Sequence, residues 1–284
     1  MIAFFGMGLL GSNFVRALRR RGEEVHVWNR THDRAAALEA EGARAFQDPA
    51  EAARSAARVH LTLTDDAVVD AVLEQARPGF TQSTVIVDHS TTSTQGALAR
   101  VARWRERGIT FVHAPVFMAP QNARDSTGIM LISGPRAVVD PLRPVLSPMT
   151  GKLLDLGERP DAASAFKLLG NLFLICMTGG IVDMLALAKA LEVPAAEAAS
   201  LFDHFNPGVL IPGRAKRIVE ASFADPSWEL KMARKDARLM LEAASKGEVT
   251  LEYLPLIARV MDRFIARGDA RRDWTVIASG ALER

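Results

Sequence analysis

Gly6, Gly8 and Gly11 are spaced G-x-G-x-x-G in Gly6-Met7-Gly8-Leu9-Leu10-Gly11, directly after the apolar run Ile2 to Phe5 and directly before an amphipathic stretch. Each glycine has a separate use at a phosphate site. Gly6 allows a tight turn, Gly8 lets the backbone approach a pyrophosphate, and Gly11 permits close helix–strand packing. A helix opening here points unpaired N–H groups at the anion. The motif alone is weak, but a second strand, Glu24 to Trp28, follows the helix and completes a βαβ unit. In that frame residues 6–11 read as a dinucleotide cradle.

The end of the second strand bears on which dinucleotide. NAD-binding units usually carry a carboxylate there for the ribose 2′-OH, whereas this chain reads Trp28-Asn29-Arg30-Thr31. Arg30 offers a planar cation, and Asn29 and Thr31 offer uncharged polar groups, which suits a 2′-phosphate. The alternative is an arginine solvated on a surface turn. The expectation is NADP(H) over NAD(H).

A second chemical feature lies far downstream. Lys167 and Asn171 interrupt Ala165-Phe166-Lys167-Leu168-Leu169-Gly170-Asn171-Leu172-Phe173-Leu174-Ile175. Spacing of four puts both on one helix face, one turn apart. Such a lysine either lays its stem on apolar surface and reaches water, or lines a polar cleft. Beside a nicotinamide, desolvation would favour the neutral amine and allow proton exchange with a carbonyl oxygen. Asn171, able to donate and accept, could orient the lysine or a substrate hydroxyl.

The elements that must position these groups alternate. After the first unit come a helix over 32–41, a strand over 44–46, a helix over 49–55, a strand over 59–63 and a helix from about 65 to 77. Strands over 83–87, 109–113, 128–133 and 152–156 follow, with helices over 93–107 and 135–147. Alternation of this kind implies a parallel, doubly wound sheet with ligands beyond the carboxyl ends of its strands. The turns holding Thr64, Asp65, Ser90 and Thr91 should therefore face cofactor or substrate, unless they serve only as helix caps. Residues 114–123, Ala-Pro-Val-Phe-Met-Ala-Pro-Gln-Asn-Ala, read as a loop forming a shaped wall.

Beyond about residue 161 no strand pattern remains. Residues 162–191 keep helical apolar spacing without proline, a rod of about 45 Å. A helix this apolar must be covered by neighbouring helices, a partner subunit, or both. Gly170, Gly179 and Gly180 weaken it, usually in exchange for close approach of another backbone. Helices near 194–205, 211–222, 228–246 and 252–267 make this part all-α. The expected fold class is α/β, a Rossmann-type dinucleotide domain over 1–160 followed by an all-helical substrate and dimerisation domain over 161–284.

Composition excludes several classes. The chain has 284 residues, 49% of them hydrophobic, and a net charge of +2 with scattered basic residues, which argues against a nucleic-acid surface. The single cysteine, Cys176, rules out an intrachain disulfide and a zinc knuckle and is expected to pack as a small hydrophobe; no metal is expected. The chain enters a strand at once, without a basic leader or a run of about 18 uncharged apolar residues, so a cytoplasmic, membrane-free protein is expected.

Taken together, GMGLLGSNF, VHVWNRT, VDHSTTS, APV followed by GIMLISG, KLLGN and the pair Lys235-Asp236 resemble the β-hydroxyacid dehydrogenase family. That family includes 3-hydroxyisobutyrate dehydrogenases and glyoxylate, succinic semialdehyde and tartronate semialdehyde reductases. The resemblance implies that Lys167 is the general acid/base, Asn171 its motif partner, and Lys235 a cation near substrate and cofactor. The chain departs from the family pattern D-A-P-V-S-G-G, whose Ser-Gly-Gly holds the substrate carboxylate. Here His113-Ala114-Pro115-Val116 is followed by Phe117-Met118-Ala119, leaving Gln121 and Asn122 as polar alternatives; His113 reads as a hydrogen-bonded structural residue. With Ser90, Phe117, Met118, Ala119, Lys167, Asn171 and Lys235 lining the substrate site, the expected activity is NADP(H)-dependent interconversion of a small aldehyde or ketone and its hydroxy compound, by a homodimer or homotetramer. The rivals are an imine reductase and a catalytically inert NADP-binding protein.

Overall fold

The computed structural model describes residues 1–282; the last two residues of the expected second domain, Glu283 and Arg284, lie outside the described residues. The chain divides into two compact units, Met1–Leu172 and a second beginning at Phe173. In the first, β1 (Ile2–Phe5), α1 (Leu9–Arg20), β2 (Val25–Trp28), α2 (His32–Ala36), β3 (Arg44–Phe46), α3 (Pro49–Ala53), β4 (Arg58–Leu61), α4 (Asp66–Ala76), β5 (Val85–Asp88), α5 (Thr94–Glu106) and β6 (Thr110–His113) alternate as expected. The six strands form one parallel sheet in the order β3-β2-β1-β4-β5-β6.

Side-chain alternation along β1 explains why the sheet is covered on both faces. Ile2 and Phe4 pack with Phe14, Val15 and Leu18 of α1, whereas Ala3 and Phe5 pack with Val69, Val72 and Leu73 of α4. The order reverses between β1 and β4, which opens a crevice at their carboxyl ends.

Two expectations in this unit are corrected. Residues 114–123 are not a plain loop: β7 (Val116–Phe117) is followed by α6 (Pro120–Asp125). β7 pairs antiparallel with β8 (Ile129–Ile132), which pairs parallel with β9 (Lys152–Asp155) in a separate three-stranded sheet. The helix expected over 135–147 is broken into α7 (Arg136–Val139), a 3-10 turn at Asp140–Leu142, α8 (Arg143–Leu146) and another 3-10 turn at Ser147–Met149. Pro141, Pro144 and Pro148 cause this, since each lacks the N–H that an unbroken helix needs and each opens a new first turn.

The long helix α9 (Ala162–Ala190) runs through the division between the units. Its first turn is anchored on the first unit, where the Ala163 N–H donates to Ser133 Oγ at 2.9 Å and Ser164 Oγ donates to the Thr92 carbonyl at 3.2 Å. Much of its apolar surface stays uncovered in the single chain, including Leu169, Leu172 and Ile175. Cys176 is accordingly exposed rather than packed. By length and composition alone α9 could cross a membrane, a test that long core helices also pass. The approach to its glycines comes from aromatic rings, not backbone: Phe117 abuts Gly170 and Tyr253 abuts Gly179, while Gly180 faces open space.

The second unit holds α10 (Ala195–His204), α11 (Ile211–Val219), α12 (Leu230–Lys246) and α13 (Leu254–Phe264), with a 3-10 stretch at Trp274–Ala281 that the apolar periodicity missed. Leu230, Ala233 and Ala237 of α12 pack with Ala258, Met261 and Phe264 of α13. Asp183 of α9 accepts the N–H groups of Glu252, Tyr253 and Leu254 at 2.7–2.9 Å and so caps the start of α13.

Candidate active site

The glycine turn after β1 has the form that its three glycines imply. Gly6 adopts φ +93°, and a Cβ there would lie 2.2 Å from the Thr62 carbonyl oxygen. One on Gly11 would lie 1.9 Å from the Gly6 oxygen and 2.4 Å from Thr62 Oγ1. Gly8 faces open space and caps α1 without any side-chain bond, which leaves first-turn N–H groups for a ligand. No acidic residue stands in that turn to oppose an anion. These residues fit a dinucleotide pyrophosphate.

Beside the turn lies a cavity of about 510 Å³ lined in part by Gly6, Gly8, Asn29, Arg30, Thr31 and Thr64. Asn29 also holds the turn in place: its Oδ1 accepts the Met7 N–H at 2.9 Å, and its Nδ2 donates to the Thr31 carbonyl at 2.8 Å. The Met7 side chain is buried in the core. Arg34, which the sequence reading missed, lines the same cavity from α2. Among the described residues neither Arg30 nor Arg34 has a carboxylate partner, so both cations are free for an anionic ligand. The spacing Arg30-x-x-x-Arg34 was the available signal.

A second cleft, about 310 Å³, is lined by Leu9, Leu10, Gly11, Thr64, Ser90 and Thr91 among others. Ser90 is buried and its Oγ accepts the Leu63 N–H at 2.8 Å, which ties the ends of β4 and β5 together. Asp65 turns its carboxylate to the Val68 N–H and caps α4. Beneath this cleft the strand ends hold buried histidines. His89 donates from Nδ1 to the Ala114 carbonyl at 2.7 Å and accepts at Nε2 from His60 Nδ1 at 2.9 Å, an arrangement that needs a neutral His89 ring. Burial drives His89 from 6.5 to about 4, and burial followed by the neighbouring His89 drives His60 well down. His113 donates from Nε2 to the Ser90 carbonyl at 2.8 Å, as a structural histidine would.

Lys167 is buried within α9, where its Nζ donates to Asn171 Oδ1 at 2.9 Å. The ammonium also lies 4.3 Å from the centroid of the Phe117 ring. Burial lowers the Lys167 pKa from its ordinary value. Phe117 and Met118 are half-buried and Ala119 is exposed. Gln121 and Asn122 are not free polar alternatives: Gln121 bonds Asp125, and Asn122 bonds the Ala119 N–H and Thr127 within and around the short helix α6. Lys235, on α12, is exposed and ion-paired with Asp236 at 2.6 Å.

A parallel sheet of this order with a glycine cradle at its crevice defines a dinucleotide-binding fold. The chain belongs to the β-hydroxyacid dehydrogenase family, and its residues 1–157 match the NAD binding domain of 6-phosphogluconate dehydrogenase. It is thus an NAD(P)-dependent oxidoreductase. Among its relatives, 2-(hydroxymethyl)glutarate dehydrogenase of Eubacterium barkeri is 24% identical over 97% of this chain and 93% of its own length. The 3-sulfolactaldehyde reductase of Escherichia coli is 24% identical over 97% and 94%. In fold the chain is similar to an imine reductase from Myxococcus stipitatus solved with NADP+, with a TM-score of 0.90, 18% identity and 98% of each chain covered.

Proposed function

We propose that this protein is an NADP(H)-dependent reductase that interconverts a small aldehyde or ketone and the corresponding hydroxy compound, with Lys167 as general acid/base. The observation that carries this reading is the buried Lys167 ammonium, aimed by Asn171 and lowered in pKa by burial alone. When bound, the reduced nicotinamide supplies the hydride that reaches the carbonyl carbon. Lys167 Nζ gives its proton to the carbonyl oxygen, so that an N–H bond breaks and the alcohol O–H forms; the resulting amine is reprotonated from solvent. Burial lowers the Lys167 pKa and so eases loss of its proton, the direction that donation to a carbonyl oxygen requires. Asn171 keeps Lys167 in place with Oδ1 and offers its amide N–H groups to the substrate oxygen.

NADP(H) rather than NAD(H) is supported by Arg30 and Arg34 at the cavity and by the lack of a carboxylate at the end of β2. Residues 1–160 are assigned to the cofactor and 161–284 to substrate and subunit contacts. The uncovered apolar face of α9 supports a homodimer or larger homo-oligomer. A cytoplasmic location, without nucleic acid or membrane, completes the proposal.

The test is NADPH oxidation against glyoxylate, succinic semialdehyde, uncharged aldehydes and a cyclic imine, repeated with Lys167→Ala. Loss of most turnover with retained NADPH binding supports the mechanism. Equal turnover in the variant refutes it. Reduction of the imine alone makes the protein an imine reductase, a reading that the apolar wall at Phe117 also suits, and cofactor binding without any turnover makes it an inert NADP-binding protein.

A further inference from the structure

Phe117 ends β7, and β7 is held in register by its pairing with β8, where Phe117 stands opposite Ile129. Fifty residues later in the chain, α9 presents Lys167, Gly170 and Asn171 on one face, at spacings of three and four. The Phe117 ring occupies the notch that Gly170 leaves. A Cβ at that position would lie 2.3 Å from Phe117 Cζ and 2.7 Å from Cε1, so no other residue type admits the ring where it stands. From the notch the ring presents its face to Lys167 Nζ at 4.3 Å while Asn171 Oδ1 takes one N–H. Among the described residues no carboxylate forms an ion pair with Lys167, and no charged neighbour contributes to its titration; burial is the one cause that moves it.

We propose that Phe117 is a positioning and specificity-determining residue: its ring fixes the Lys167 ammonium and excludes substrates that carry an acid group next to the reacting carbonyl. The inference rests on the reductase reading above. An aromatic face is the negative side of the ring quadrupole, which attracts the ammonium and repels a carboxylate. The side-chain amides of Gln121 and Asn122 beside it are each engaged in local hydrogen bonds. An acid group held against Lys167 would form an ion pair that retains the proton the carbonyl oxygen needs. The substrate class is therefore an aldehyde or ketone that is uncharged near the carbonyl.

Two measurements test this. First, the pH dependence of acetylation of Lys167 by acetic anhydride, read by mass spectrometry without cofactor, reports the lysine pKa without relying on turnover. A cation–π contact strengthens the charged form, so Phe117→Leu, which keeps bulk and removes the π face, should lower the labelling midpoint by about one pH unit. Gly170→Ala, which pushes the ring from its notch, should give a shift in the same direction. Second, Phe117→Ser should raise kcat/KM for glyoxylate relative to an uncharged aldehyde at least tenfold. Unchanged midpoints in both Phe117→Leu and Gly170→Ala overturn the positioning role, and an unchanged selectivity ratio overturns the specificity role. If Lys167→Ala keeps its turnover, the reductase mechanism falls instead, whereas an inactive Lys167→Ala with unmoved Phe117 variants removes only this inference.

Discussion

Lowering the pH from 7 to 5 should loosen the first unit selectively, because burial in and beside its sheet lowers the pKa of three histidines, His60, His89 and His113. His89 is fully buried, stacks on Phe14 with ring centroids 5.3 Å apart, and uses both ring nitrogens in hydrogen bonds that need the neutral form. Burial pushes its pKa down from 6.5 to about 4. The folded value lies below the unfolded one, so the stabilisation is complete above about pH 6.5 and is lost as the pH falls through the window toward 4. The whole window corresponds to about 3 kcal/mol, of which about 2 kcal/mol is gone at pH 5. His60, also driven down by burial, adds in the same direction. Hydrogen exchange corrected for intrinsic rates localises the effect: amides of β4 and β5 should lose protection at pH 5, while those of α12 and α13 serve as the internal control. Equal protection of β4 and β5 at both pH values would refute the argument. So would an unchanged pH dependence in a His60→Asn/His89→Gln double variant.

Three further outcomes are expected. Replacing Arg30 by alanine should raise KM for NADPH roughly 10- to 100-fold, the worth of one lost charge-assisted contact, and leave KM for NADH unchanged; a parallel rise for both cofactors would count against a 2′-phosphate site. Gly11→Ala should abolish cofactor binding in fluorescence titration, since its Cβ would overlap the Gly6 carbonyl oxygen at 1.9 Å. Asp183→Ala strips the cap from three backbone N–H groups, so urea denaturation should show the second unit destabilised by about 3 kcal/mol.

Local rules carried much of the fold and part of the site. Glycines spaced for a turn, apolar runs of strand length and a lysine four residues from an asparagine are legible because each depends on neighbours within a few residues, where backbone geometry sets the spacing. The breaks after Pro135 are also local, since Pro141, Pro144 and Pro148 interrupt a stretch whose apolar spacing is otherwise helical.

What the sequence by itself determined is the alternation that builds the six-stranded parallel sheet, the glycine turn after its first strand and the shared helix face of Lys167 and Asn171. Only the tertiary structure decided which groups meet across the chain: Phe117 in the Gly170 notch against Lys167, and His60 bonded to His89. Those contacts join residues from 29 to 53 positions apart, and none has a periodic signature. They arise because strand pairing and close packing bring the groups within reach, and the cost of burying polar atoms then selects the pairs that satisfy one another.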